Sequence, residues 1–125
     1  MFNDLIGSRL VAMDDNGFTV QTPAGNMRHY EFMEIEGDCC GYSELTVALM
    51  FDPDDPTNNP AITNVQDDGG DDDGWGENRT ITFFGISGPL ARIDSESSSG
   101  SGWCYGAAMH VKCRETGIEE VLTSW

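Results

Sequence analysis

Basic residues are scarce in this chain: six Lys and Arg stand against 22 Asp and Glu, giving a formal net charge of −16. That balance repels phosphate backbones and anionic membrane surfaces, so direct nucleic-acid binding is not expected. Long apolar runs are missing too. No stretch approaches the roughly 18 residues of a membrane span. The opening segment, Met1-Phe2-Asn3-Asp4-Leu5-Ile6-Gly7, lacks the basic start and apolar run of a signal peptide. The expected location is therefore cytoplasmic.

Metal and catalytic signatures are also lacking. The cysteines are Cys39, Cys40, Cys104 and Cys113, with no Cys-x-x-Cys pair among them. In a reducing cytosol they read as buried or half-buried thiols in preference to a zinc site. A nucleophile in the Gly37-Asp38-Cys39-Cys40-Gly41 turn would need a base, and neither His29 nor His110 is placed beside it by sequence. An enzyme is the least favoured class, and no cofactor is expected.

What is present suits one ordinary domain over residues 1–125, with 38% hydrophobic residues and 10% aromatics. Residues 8–14 read as a strand, and residues 18–22 and 27–36 alternate apolar and polar side chains; with the turns Asp15-Asn16-Gly17 and Pro23-Ala24-Gly25-Asn26 between them they read as a three-stranded meander. Residues 61–65, 79–87, 90–96 and 103–113 read as further strands. Residues 43–50 read as a short helix capped by Ser43, although their β-branched content keeps a strand in play. The tail reads as a weak helical turn. The expected fold is mostly β (α+β): one antiparallel sheet or barrel-like domain of about seven strands with one short helix.

Two loops stand out. Residues 67–78 are acidic and glycine-rich, and read as a flexible loop. Their spacing does not match an EF-hand: with Gly74 at the sixth position, the first falls on Gly69. A solvated loop is favoured over a calcium site. The second loop, Ser97, Ser98, Ser99, Gly100, Ser101 and Gly102, offers hydroxyls and unhindered N–H groups that could cradle an anion. Arg92, His110 and Lys112 flank it, and Trp103 and Tyr105 could stack on a flat ligand. The alternative is a plain hairpin loop.

The chain resembles a family of small proteins of actinobacterial phages and their hosts that form a domain of unknown function. The resemblance rests on Asp4-Leu5-Ile6-Gly7, on Asp38-Cys39-Cys40, on the strand Thr82-Phe83-Phe84-Gly85, and on Glu96-Ser97-Ser98-Ser99-Gly100 running into Trp103-Cys104-Tyr105. Where the family reads Asn-Gly-Tyr-Tyr, this chain reads Ser99-Gly100-Ser101-Gly102-Trp103-Cys104-Tyr105. The resemblance implies a phage-type accessory protein that counters host defence by binding.

Three functions are expected in descending order. The first is sequestration of a small nucleotide-like immune signal at Ser97–Gly102, with Arg92, His110 and Lys112 on phosphate and Trp103 or Tyr105 on the base. The second is an acidic inhibitor that mimics DNA before a host nucleic-acid-binding protein. The third is a virion surface component. A homo-oligomer is compatible with each.

Overall fold

The computed structural model describes residues 1–36, 42–55, 57–72, 76–98 and 107–124. The Cys39-Cys40 turn and the loop from Ser99 through Gly106 lie outside the described residues. Among the described residues, a single 3₁₀ turn, Phe2–Leu5, precedes nine strands. They are β1 (Arg9–Asp14), β2 (Gly17–Gln21), β3 (Met27–Glu36), β4 (Tyr42–Leu49), β5 (Asn64–Asp72), β6 (Gly76–Gly85), β7 (Gly88–Ser98), β8 (Ala107–Cys113) and β9 (Glu119–Ser124). Among the described residues no helix is long and apolar enough to cross a membrane.

The strands form a five-stranded sheet, β1-β2-β3-β8-β9, and a four-stranded sheet, β4-β7-β6-β5. Every pairing between them is antiparallel. The chain lays down β1 to β3 as a meander and crosses to the second sheet with β4. It builds β5 to β7 there and returns with β8 beside β3. The two crossings are in register. Glu36 pairs with Ala107 at the end of the first sheet, and Tyr42 pairs with Ser98 at the end of the second.

Local chemistry sets the first meander. Asp14 Oδ1 accepts the backbone N–H groups of Asn16 (2.8 Å) and Gly17 (3.1 Å), which closes the β1–β2 turn. Gly17 then lies so close to β3 that a Cβ there would sit 2.0 Å from the Tyr30 carbonyl oxygen.

Alternation does the rest. Along β7, Ala91, Ile93, Ser95 and Ser97 are buried while Arg92 is exposed. Along β8, Met109, Val111 and Cys113 are buried and Lys112 is exposed. The inward sets of both sheets meet in one core. Phe18 is its hub: its ring stacks on Tyr30 at 4.6 Å and meets Phe83 edge-on at 5.5 Å. Phe2 joins from the 3₁₀ turn, 6.2 Å from Phe83. Burial of each such ring contributes about 1.5–3 kcal/mol.

The sequence expectations are corrected in four places. The fold is two open antiparallel sheets, not one sheet or a barrel, because each meander has an apolar face that only the other can cover. Residues 43–50 supply β4, not a helix: Leu45, Val47 and Leu49 pack on the core while Glu44, Thr46 and Ala48 face solvent, and that period of two outweighs the cap signal at Ser43. The tail, read as a helical turn, is β9, paired with β8. The acidic stretch read as a loop is largely a ladder: Asp67 pairs with Ile81 and Asp68 with Thr80, and after an irregularity Asp71 pairs with Asn78 and Asp72 with Glu77. The strand-forming Thr80-Ile81-Thr82-Phe83 run gives these residues a partner that composition alone does not reveal.

Candidate functional site

Among the described residues, the structure does not bring Arg92 together with His110 and Lys112. Arg92 leaves the four-stranded sheet on the side opposite Ala91 and Ile93, so it points away from the core. His110 and Lys112 leave the five-stranded sheet on the side opposite Met109 and Val111. With the core between them, the two sets face opposite sides of the molecule. Arg92 is also committed to Asp94, with Nε 2.9 Å from Oδ2. Lys112 pairs across strands with Glu31 on one side and Glu119 on the other. His110 Nδ1 lies 3.5 Å from Glu119 Oε2 but is buried without forming a hydrogen bond.

Ser97 is not available to a ligand. It is fully buried, and its hydroxyl belongs to a chain between the sheets: Ser43 Oγ to Ser97 Oγ at 2.7 Å, Ser97 Oγ to Thr123 Oγ1 at 2.8 Å, and Ser95 Oγ to Thr123 Oγ1 at 2.8 Å. These bonds satisfy four buried hydroxyls that would otherwise be costly. Ser98 is buried as well. Ser99, Gly100, Ser101, Trp103 and Tyr105 lie outside the described residues.

Arg79 carries structure that sequence reasoning missed. It shares the parity of Ile81 and Phe83 and so points between the sheets, with its side chain only 14% exposed. Its Nε and Nη2 grip both oxygens of Asp67 at 3.0 and 2.6 Å. Its Nη1 donates to the Val121 carbonyl at 3.0 Å, and Nη2 reaches Glu120 at 3.5 Å. The guanidinium also lies 5.7 Å from the centre of the Phe2 ring. Asp67 holds its carboxyl below the usual range mainly because Arg79 donates to it. The fork thus fastens the β5–β6 hairpin of one sheet to β9 of the other. The available signal was that parity: an inward Arg requires acceptors.

The most distinctive surface is the outer face of the four-stranded sheet. Glu44 on β4 stands directly opposite Glu96 on β7, and Asn78 on β6 flanks Glu96 on its other side. One row along, Asp94 lies between Thr46 and Thr80 and accepts the Thr80 hydroxyl at 2.8 Å. Asp68, paired with Thr80, extends that row to β5. Glu44, Thr46, Asn78, Arg79, Thr80, Asp94, Ser95 and Glu96 line a depression of about 230 Å³, and the Arg79 guanidinium among them is held by Asp67. Directly opposed like charges destabilise a sheet. Among the described residues, neither Glu44 nor Glu96 is in an ion pair.

Such a face can accept hydrogen bonds from ammonium or guanidinium groups. Among the described residues no group of three or more His, Cys, Asp or Glu side chains is arranged to hold a metal ion. No family model, curated protein or solved structure matches the chain.

Proposed function

We propose that the chain is a non-enzymatic binding protein that presents the outer face of its four-stranded sheet to a basic, nucleic-acid-binding surface of a host protein. The observation that carries this reading is the Glu44–Glu96 pair, set face to face on the sheet, with Asp68 and the Arg92-paired Asp94 in the next row. A sheet fixes its side chains on a lattice of about 4.8 Å across strands and about 6.8 Å along them. Carboxylates held on it are a preformed polyanion, able to replace phosphates before Lys and Arg side chains. The resemblance to phage accessory proteins agrees with this role and with action in the cytoplasm of an infected bacterium.

The nucleotide-sequestering reading has less support, since Arg92 and the pair His110 and Lys112 face opposite sides and Ser97 is buried. The proposal is tested by immobilising the chain and passing bacterial host lysate over it at low salt. A basic nucleic-acid-binding protein should be retained and should elute as salt rises, because screening shortens to about 3 Å at 1 M salt. Retention of no such protein would overturn the proposal.

A further inference from the structure

We infer that a second, separate cleft, built from the Phe2–Leu5 turn, β2, β3 and the β8–β9 turn, binds a small zwitterion of the amino-acid class. The cleft measures about 250 Å³ and shares no lining residue with the depression on the acidic face. That is below the roughly 300 Å³ at which drug-sized pockets begin, so the occupant is small.

Charge selects the ligand. Arg28 pairs with Val20 across β2 and β3 and shares the inward parity of Tyr30, so its side chain enters the cleft at the end of the core. In a chain of net charge −16, Arg28 makes no ion pair or side-chain hydrogen bond among the described residues. Asp4 lines the cleft as well, and is likewise in no ion pair there. The two charges are therefore not spent on each other. A simple anion would meet Asp4 as a like charge, and a simple cation would meet Arg28. A ligand with both charges satisfies both residues, its carboxylate on the guanidinium and its ammonium toward Asp4.

The remaining walls fit an apolar side chain with polar contacts around it. Leu5 and Val20 are buried in the floor, and Ile118 stands 59% exposed at the rim, where a ligand would cover it. Tyr30 and Cys113 face each other across β3 and β8 within the cleft. Burial, then the Cys113 thiol, push the Tyr30 phenol up to about 12, so it remains a neutral hydrogen-bond donor at physiological pH.

The test is an amide NMR titration with three probes: L-leucine, 4-methylpentanoate and 3-methylbutylamine. Leucine should shift the amides of Val20, Arg28, Tyr30 and Cys113, and each probe with one charge should bind at least about tenfold more weakly, a difference of about 1.4 kcal/mol. Arg28→Gln should weaken leucine binding by about the same factor. If that variant does not fold, Asp4→Asn, at an exposed position, should do so in its place. Absence of shifts with leucine, equal binding of 4-methylpentanoate, or unchanged affinity in the folded variant would each overturn the inference. None of these outcomes depends on the acidic face.

Discussion

The two sheets expose outer faces that handle charge in opposite ways. On the five-stranded sheet and its turns, carboxylates meet Arg, Lys and His side chains. Arg114 reaches Glu31 at 2.5 Å, Glu115 accepts from His29 at 2.8 Å, and Lys112 lies between Glu31 and Glu119. On the four-stranded sheet, Arg92 is the one outward cation among the described residues, and it is tied to Asp94. Glu44 and Glu96 are left facing each other. An acidic composition does not by itself require this arrangement. The same chain balances one face and leaves the other in excess, so the excess is a local property of β4 and β7.

The comparison can be broken from the inside. Phe83→Ala should cost about 3–5 kcal/mol, since Phe83 is fully buried between the sheets. Urea unfolding should show both sheets losing structure together. Separate transitions for β2 and β7 amides would show that they do not share one core.

Cutting the tie between the sheets should cost less. Arg79→Met leaves Asp67, Glu120 and the Val121 carbonyl without their donor. The expected loss is about 2 kcal/mol, with faster hydrogen exchange in β9. Unchanged exchange in β9 would remove Arg79 from the account.

The faces themselves should respond with opposite signs. Glu96→Gln relieves Glu44 and should stabilise the protein by about 0.5 kcal/mol, a gain that fades in high salt. Glu31→Gln removes the partner of Arg114 and should destabilise it slightly. Thermal melts of the two variants at low and high salt would decide the matter. The same sign for both would dissolve the contrast.

The smallest effect concerns the β8–β9 turn. Glu115 is held down at about 2, chiefly by the His29 backbone N–H and then by its ring. Its folded pKa lies below the ordinary value, so its contribution is complete above about pH 4.5 and is lost as pH falls through about 2. A carboxyl NMR titration should find Glu115 titrating at about 2, and Glu115→Gln should abolish that late step.

Much of the fold was legible because alternation is a strong signal. The β1–β3 meander follows from the period of two and the Asp15-Asn16-Gly17 turn. β4 was misread because a favourable helix cap at Ser43 competed with alternation over only eight residues. The division into two sheets was not legible, since it depends on which apolar faces meet across distant segments. Asp67–Asp72 read as a loop because its pairing partner, not its composition, makes it a strand. The site was less legible still. Sequence spacing set Arg92, His110 and Lys112 near one loop, but strand parity and the two-sheet core send them to opposite sides. The Glu44–Glu96 pair depends on the register of strands far apart in sequence, which no local pattern reveals.

The central claim is that the unbalanced carboxylates of β4 and β7 occupy a nucleic-acid-binding surface. The most direct measurement compares the wild-type chain with Glu44→Gln/Glu96→Gln as immobilised baits in host lysate, with and without competing duplex DNA. The wild type should retain a basic partner that duplex DNA displaces, and the variant, though folded, should not retain it. Equal retention by both chains, or retention indifferent to duplex DNA, would contradict the account.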